Sequence, residues 1–285
     1  MLITPHIERL IDMALDEDLA GGDVTTEAIF GPYDHTTGTL LAKQDVVQCG
    51  RDLFDAVMHR VDSTIEVEWI FPDGAEVVSG TELATIKGPT ASVLMGERVA
   101  LNFFQRMCGI ATKTRRFVEE LADSEADIAD TRKTLPGFRL LDKVAVRVGG
   151  GRNHRMNLGG GVMIKDNHIA AAGSIYNAVD RVRALAPHTV RIEVEVTTME
   201  ELEEAVEAAA DIIMLDNMSV EEMTACVKRA RELSGARPVI LEASGNVTLE
   251  TVAAIGKTGV DIISSGALTH SVKAADISLN LQSEP

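Results

Sequence analysis

From Asp127 onward, six short apolar runs alternate with helical segments: Ile128-Ala129, Val162 to Ile164, Ile192 to Val196, Ile212 to Leu215, Val239 to Leu241 and Ile262-Ile263. Alternation of this kind dictates parallel strand pairing, because a helix must carry the chain back before the next strand can start. Thr198-x-x-Glu201 and Ser219-x-x-Glu222 precede two apolar-periodic segments and read as capping boxes, which places helix starts there. Nearly every run ends in polar residues: Asp130-Thr131-Arg132-Lys133, Lys165-Asp166-Asn167, Glu195, Asp216-Asn217, Glu242-Ala243-Ser244 and Ser264-Ser265. Strand ends that all carry chemistry converge on one mouth in a β/α barrel, whereas a doubly wound sheet concentrates it at a single switch point. The pattern predicts a barrel.

The first part of the chain reads differently. Ile7, Leu10, Ile11, Ala14 and Leu15 follow helical spacing, with Thr4-Pro5 as the start and Gly21-Gly22 as the stop. Between Thr37 and about Thr90, short β-type runs broken at Pro72-Asp73-Gly74 and Ser79-Gly80 predict an antiparallel sheet. A helix starting near Ser92, with Ala100, Phe103, Phe104, Met107 and Ala111 on one face, is expected to join this part to the barrel. The 285 residues suffice for about two domains; the boundaries expected are 1–110 for an α+β domain and 111–269 for the barrel.

Charge narrows the choice of partner. With 27 Lys+Arg against 44 Asp+Glu the net charge is −17, which repels nucleic acid and anionic membranes. Yet residues 131–168 carry eight cations and only two anions, a local net of +6. A small basic island in an acidic chain suits a compact, dense anion rather than a duplex. Aromatics at 4% are too few for base-stacking platforms. Cys49, Cys108 and Cys226 lack C-x-x-C spacing, so neither a disulfide framework nor a zinc knuckle is expected. Free thiols point to a reducing compartment, and with no apolar run long enough for a membrane span the expected location is cytoplasmic.

Several segments carry chemistry. Arg132 and Lys133 close a strand before the Pro136-Gly137 turn, and an Arg fork grips carboxylate or phosphate where Lys acts as a point charge. Gly149-Gly-Gly-Arg-Asn-His-Arg155 follows three glycines with three basic donors in four residues, a loop that is neither a Walker sequence nor G-x-G-x-x-G. Lys165 at a strand end can be a Schiff-base nucleophile, an anion ligand or a rim charge; its cationic neighbours favour the anion ligand. His154 and His168 have no third His or Cys at ligand spacing, which favours hydrogen bonding or packing over metal binding. Glu195 and Asp216 end successive strands, where paired carboxylates do acid–base work, hold ribose hydroxyls or coordinate Mg2+. Ser244-Gly245-Asn246 and Ser265-Gly266-Ala267 follow the last two strands, where β/α barrels build phosphate sites from backbone N–H groups.

Taken together these stretches resemble the quinolinate phosphoribosyltransferase family. The matching text is Thr131-Arg-Lys-Thr-Leu-Pro-Gly, Gly149-Gly-Gly-Arg-Asn-His-Arg-Met, Ile164-Lys-Asp-Asn-His, Glu193-Val-Glu-Val, Met214-Leu-Asp-Asn-Met, Leu241-Glu-Ala-Ser-Gly-Asn and Gly266-Ala-Leu-Thr-His-Ser, with Gly22-Asp-Val-Thr and Glu97-Arg98 upstream. Arg152, Cys108 and Ser265 depart from the family text and put no ligand-binding position in doubt.

The resemblance implies an incomplete β/α barrel of the type II phosphoribosyltransferase kind, with an N-terminal α+β open sandwich completed by the 270–285 tail. It implies an enzyme of NAD biosynthesis that joins quinolinate to phosphoribosyl pyrophosphate, giving nicotinate mononucleotide, pyrophosphate and CO2 with Mg2+ as cofactor. Arg98, Arg132, Lys133, His154, Arg155 and Lys165 would cradle the pyridine dicarboxylate, with Thr131 beside them. Glu195 and Asp216 would hold the ribose hydroxyls and Mg2+, directly or through water. Lys133, Lys165, Glu195 and Asp216 would be the catalytic set, and the loops at Ser244-Gly245-Asn246 and Ser265-Gly266-Ala267 would take the 5′-phosphate. The implied assembly is a homodimer, alone or built into a hexamer, in which Arg98 completes the neighbour's site. The rival readings are a nicotinate-specific phosphoribosyltransferase, a molybdenum-transport-associated paralogue and a non-catalytic phosphate-ligand binder.

Overall fold

The computed structural model describes residues 3–235 and 237–281, which fall into two compact units. One comprises the chain up to Lys113, Arg147–Gly149 and the segment from Val272 on; the other comprises Thr114–Val146 and Gly150–Ser271. Among the described residues, no helix is long and apolar enough to cross a membrane.

The first unit contains β1 (His35–Ala42), β2 (Val46–Val47), β3 (Glu66–Trp69), β4 (Glu76–Val77) and β5 (Glu82–Pro89). Antiparallel pairing of β1 with β5 and of β3 with β5 gives the sheet that the turn-broken β runs predict. The helix Pro5–Leu19 starts at Thr4, whose hydroxyl accepts the Ile7 N–H, and buries Ile7, Ile11 and Leu15. One element escapes the expectation of a continuous sheet. Arg51–Val61 is a helix burying Leu53, Phe54, Val57 and Met58, and Phe54 packs edge-on against Trp69 and Phe104 at centroid distances of 5.6 and 5.8 Å. The long helix Thr90–Glu120 carries the chain on, and the boundary between the units falls inside it.

The second unit holds β6 (Asp127–Ala129), β7 (Val162–Ile164), β8 (Ile192–Val196), β9 (Ile212–Asp216), β10 (Ile240–Ser244) and β11 (Ile262–Ser264). All pair in parallel, in the order β6-β11-β10-β9-β8-β7, so β6 and β7 are left as edges and the barrel is incomplete. The Gly149–Arg155 loop meets one edge through a bridge between Ala129 and Arg152. Gly151 permits this approach: a Cβ there would stand 2.8 Å from Thr114 Cγ2 and 2.9 Å from Val146 Cγ1.

Strand ends differ slightly from the sequence reading, with consequences for the site. β10 runs on to Ser244 instead of stopping at Leu241, which brings Glu242 into the strand. Ser219 and Glu222 form the expected reciprocal capping box. Thr198 caps the Glu201 N–H, but the Glu201 carboxylate reaches one residue further back, to the N–H and hydroxyl of Thr197, so that box is only half formed. Finally β12 (Ile277–Leu281) returns the chain to the first unit, pairing antiparallel with β1; of the 270–285 tail, residues 282–285 lie outside the described residues.

Candidate active site

The carboxyl ends of the barrel strands enclose a cavity of about 560 Å³. Thr131, Arg132 and Lys133 reach it from the end of β6, His154 and Arg155 from the glycine-rich loop, and Lys165 from the end of β7. Glu195, Asp216 and the Ser244-Gly245-Asn246 turn close it from β8, β9 and β10. Four cations thus face two carboxylates across one concave surface. This is the distribution expected for a ligand carrying several negative charges beside a polyhydroxylated part.

Local structure fixes each group. Thr131 Oγ1 accepts the Lys133 N–H at 3.0 Å and shapes the turn that presents both cations, while Thr269 holds the Lys133 carbonyl at 2.8 Å. Arg155 donates to the Gly161 carbonyl at 2.9 Å, and burial, followed by the neighbouring Arg132 charge, pulls its pKa down. Lys165 forms an ion pair with Glu195 Oε2, and its backbone N–H is capped by His168 Nδ1 at 3.0 Å. His168 is therefore a hydrogen-bonding residue, exposed at the start of the following helix.

The turn after β10 is tightly built. Asn217 adopts φ +56°, donates its backbone N–H to the Ser244 carbonyl at 2.9 Å, and receives the Asn246 amide on its side-chain oxygen at 3.3 Å. Its own amide donates to Asp216 at 2.7 Å, orienting that carboxylate. Gly245 has φ +93°, and a Cβ there would lie 2.2 Å from Asn217 Oδ1. No other residue type fits this position unstrained.

A second layer lies below the mouth. Glu193, two residues before Glu195, and Glu242, two before Ser244, are 3% and 2% exposed and flank His154. The Arg155 N–H donates to His154 Nδ1 at 2.7 Å, so Nε2 carries the ring proton and faces Glu193 at 3.2 Å and Glu242 at 3.7 Å. A cation at these three side chains would need the lone pair of Nε2 and a proton on Nδ1, where the Arg155 N–H already points. The arrangement favours hydrogen-bond donation over ligation. Burial, then the Glu193 charge, pushes the Glu242 carboxyl up to about 7.

Some anticipated residues stand elsewhere. Arg98 lies in the first unit, largely exposed, 3.8 Å from Glu97. Ser265 is buried, its hydroxyl donating to the Val247 carbonyl at 3.2 Å and accepting the Ala267 N–H at 3.3 Å; neither it nor Gly266 or Ala267 lines the cavity. Met163, Met214, Asn217 and Ser264 do line it. Asn217 was visible beside Asp216, but its turn-forming role depends on the left-handed backbone. The methionines carry no polar signal, and Ser264 enters because β11 extends one residue beyond its apolar pair.

Comparison with known proteins covers both units. Residues 23–108 match the family model described as quinolinate phosphoribosyl transferase, N-terminal domain, and residues 110–280 match its C-terminal domain. A probable carboxylating nicotinate-nucleotide pyrophosphorylase of Bacillus subtilis is 43% identical over 276 residues, 97% of this chain and 93% of the relative. The chloroplastic carboxylating enzyme of Arabidopsis thaliana is 46% identical, covering 99% of this chain and 84% of its own. Among solved structures, NadC from Streptococcus pyogenes superposes with a TM-score of 0.93 at 42% identity, covering 99% of both chains. The nicotinate-nucleotide pyrophosphorylase of Francisella tularensis gives 0.92 at 40% identity, covering 98% of both chains. Two consecutive domain matches, near-complete coverage by relatives and the incomplete barrel agree: this chain belongs to the quinolinate phosphoribosyltransferase family.

Proposed function

We propose that the chain transfers a phosphoribosyl group from phosphoribosyl pyrophosphate to quinolinate and releases CO2, forming nicotinate mononucleotide and pyrophosphate for NAD biosynthesis. The observation that carries this reading is the cavity in which Arg132, Lys133, Arg155 and Lys165 face Glu195 and Asp216. Both substrates are dense anions, and one brings ribose hydroxyls.

Arg132, His154, Arg155 and Lys165 hold the two ring carboxylates, and Lys133 beside them also meets the departing pyrophosphate. Glu195 and Asp216 accept hydrogen bonds from the ribose hydroxyls and oppose the positive charge that grows on the sugar as the C1–oxygen bond breaks. The pyridine nitrogen then bonds to C1 and becomes cationic. The carbon–carbon bond to the adjacent carboxylate can now break with its electron pair left on the ring carbon beside the cationic nitrogen, and a proton from water completes the carbon–hydrogen bond there, so no protein nucleophile is required. The Ser244-Gly245-Asn246 turn takes the 5′-phosphate, with Ser265-Gly266-Ala267 supporting the neighbouring strand end.

Mg2+ fits the mouth by its donor chemistry: Glu195 and Asp216 are hard oxygen ligands, few in number, which suits an ion that completes its shell with substrate phosphate oxygens and water. When bound it supplies charge to the leaving pyrophosphate. Arg98, exposed on its helix, serves the neighbour's site in a homodimer, alone or within a hexamer. The three buried, unpaired cysteines suit a reducing compartment, the cytoplasm.

The decisive assay uses quinolinate labelled in the carboxylate next to the ring nitrogen. Label should appear as CO2 only when phosphoribosyl pyrophosphate is present, and nicotinate should not be consumed. Consumption of nicotinate, or no CO2 from quinolinate, overturns the reading.

A further inference from the structure

Behind the cavity, Lys143 and Asp130 form an ion pair with side chains 2% and 0% exposed. A buried pair like this is weak evidence of stability, because desolvating two charges offsets most of their attraction. Where the remaining hydrogen bonds go is more informative.

Asp130 directly follows β6 in the segment that leads into Arg132 and Lys133, and Lys143 comes from the helix Arg139–Val148. Besides meeting each other, both reach the glycine-rich loop. Asp130 Oδ1 accepts the His154 N–H at 2.8 Å, and Oδ2 accepts the Asn153 amide at 2.6 Å. Lys143 Nζ donates to the His154 carbonyl at 2.9 Å, and the Asn153 amide also donates to the Lys143 carbonyl at 2.9 Å. Both backbone polar groups of His154 are therefore held by one charge pair. A pair serving only to fasten helix to strand would have no need of these contacts.

The geometry points to Asp130 and Lys143 as positioning residues for the quinolinate-binding loop: they fix the backbone at 153–154 and so set where His154 and Arg155 stand. The next residue, Arg155, lines the cavity, donating its N–H to His154 Nδ1 at 2.7 Å and its guanidinium to the Gly161 carbonyl at 2.9 Å. A displaced backbone would therefore move the imidazole and the guanidinium together. The phosphoribosyl side, built from Glu195, Asp216 and the Ser244 turn, hangs on β8, β9 and β10 and shares none of these bonds. Disturbing the clamp should affect one substrate and spare the other.

This inference rests on the functional reading above, and the test separates the two. Asp130→Leu with Lys143→Met replaces the pair by apolar side chains, an exchange that folds tolerate. Asn153→Ala, at an exposed position, removes two loop bonds and leaves the ion pair intact. Melting temperature, kcat and the KM of each substrate are measured for wild type and both variants. With the double variant folded, quinolinate KM should rise on the order of 100-fold, the scale of a small misplacement in a binding site, while KM for phosphoribosyl pyrophosphate stays within about twofold. Asn153→Ala should raise quinolinate KM on the order of 5-fold, with the same selectivity, and decides the matter if the double variant does not fold. Equal changes in both KM values, or an unchanged quinolinate KM in a folded variant, overturn the positioning role. A wild-type protein that does not consume quinolinate overturns the functional reading instead.

Discussion

Glu195 and Glu193 stand on one strand, two residues apart, and both face the inside of the same barrel. Glu195 reaches the mouth, where it pairs with Lys165 and lines the cavity. Glu193 lies one layer deeper, nearly sealed, with His154 as partner and Glu242 as a second buried carboxylate. Depth separates the roles. A carboxylate at the rim keeps its charge in reach of a ligand; the same group below it faces desolvation and a like charge. Glu242, held near neutrality by burial and by Glu193, resembles a tuned acid in isolation, but its position beneath His154 makes it part of the floor.

The largest effects expected from this contrast fall at the mouth. Glu195→Gln and Asp216→Asn should each lower kcat on the order of 10²- to 10³-fold with much smaller changes in substrate binding, because ribose charge develops chiefly in the transition state. Steady-state kinetics with both substrates varied would show it; a pure KM effect would move these groups into ground-state binding.

Arg155→Ala comes next. Loss of a partly desolvated cation from an anion site should weaken quinolinate binding by about 2–3 kcal/mol, while Lys228→Ala, on an exposed helix face, leaves it unchanged. Equilibrium binding distinguishes the two, and equal small losses would remove Arg155 from the site.

Gly245→Ala probes the turn that closes the mouth beyond β10. The left-handed backbone and the 2.2 Å approach to Asn217 leave no room for a Cβ, so the turn must shift, at a cost of about 1–3 kcal/mol in stability. Thermal unfolding measures this, and an unchanged melting temperature would show that the turn relaxes freely.

The smallest expected effect concerns the floor. Glu242 titrates near 7 when folded against an ordinary value of 4.5, so the folded state holds its proton more firmly than the unfolded chain does. Its contribution favours folding at low pH and is lost as pH rises from 4.5 to about 7. Glu242→Gln should flatten the pH dependence of the melting temperature across that window, and at pH 8 should melt no lower than wild type. A steeper dependence would mean that the carboxylate is stabilising in its charged form.

Much of the mouth was legible in the sequence because strand ends announce themselves: an apolar run stops and Arg132-Lys133, Lys165, Glu195 or Asp216 follows. The floor was not. Whether Glu193 and Glu242 face inward depends on strand register and on β10 reaching Ser244, and neither is visible in a five-residue run. The basic island is legible in the sequence as a count but not as a surface. Arg132, Lys133, Arg155 and Lys165 line the cavity, whereas Lys143 is buried against Asp130, Arg152 pairs with Asp127 at 2.7 Å, and Arg139 donates to the Arg132 and Met156 carbonyls. The helix Arg51–Val61 was hidden for another reason: its apolar stripe sits between β runs short enough to be read as one sheet. Ser265 stands at a strand end as Ser244 does, but its hydroxyl turns inward to close its own loop, an orientation that the residue order alone does not reveal.

Calorimetric titration of quinolinate into wild type, Lys165→Ala and Glu242→Gln compares the two layers in a single experiment. Lys165→Ala should bind on the order of 100-fold more weakly and Glu242→Gln within about threefold of wild type, since only the first removes a charge that meets the ligand. Equal losses in the two variants, or wild-type affinity in Lys165→Ala, would contradict the assignment of ligand binding to the mouth and support to the floor.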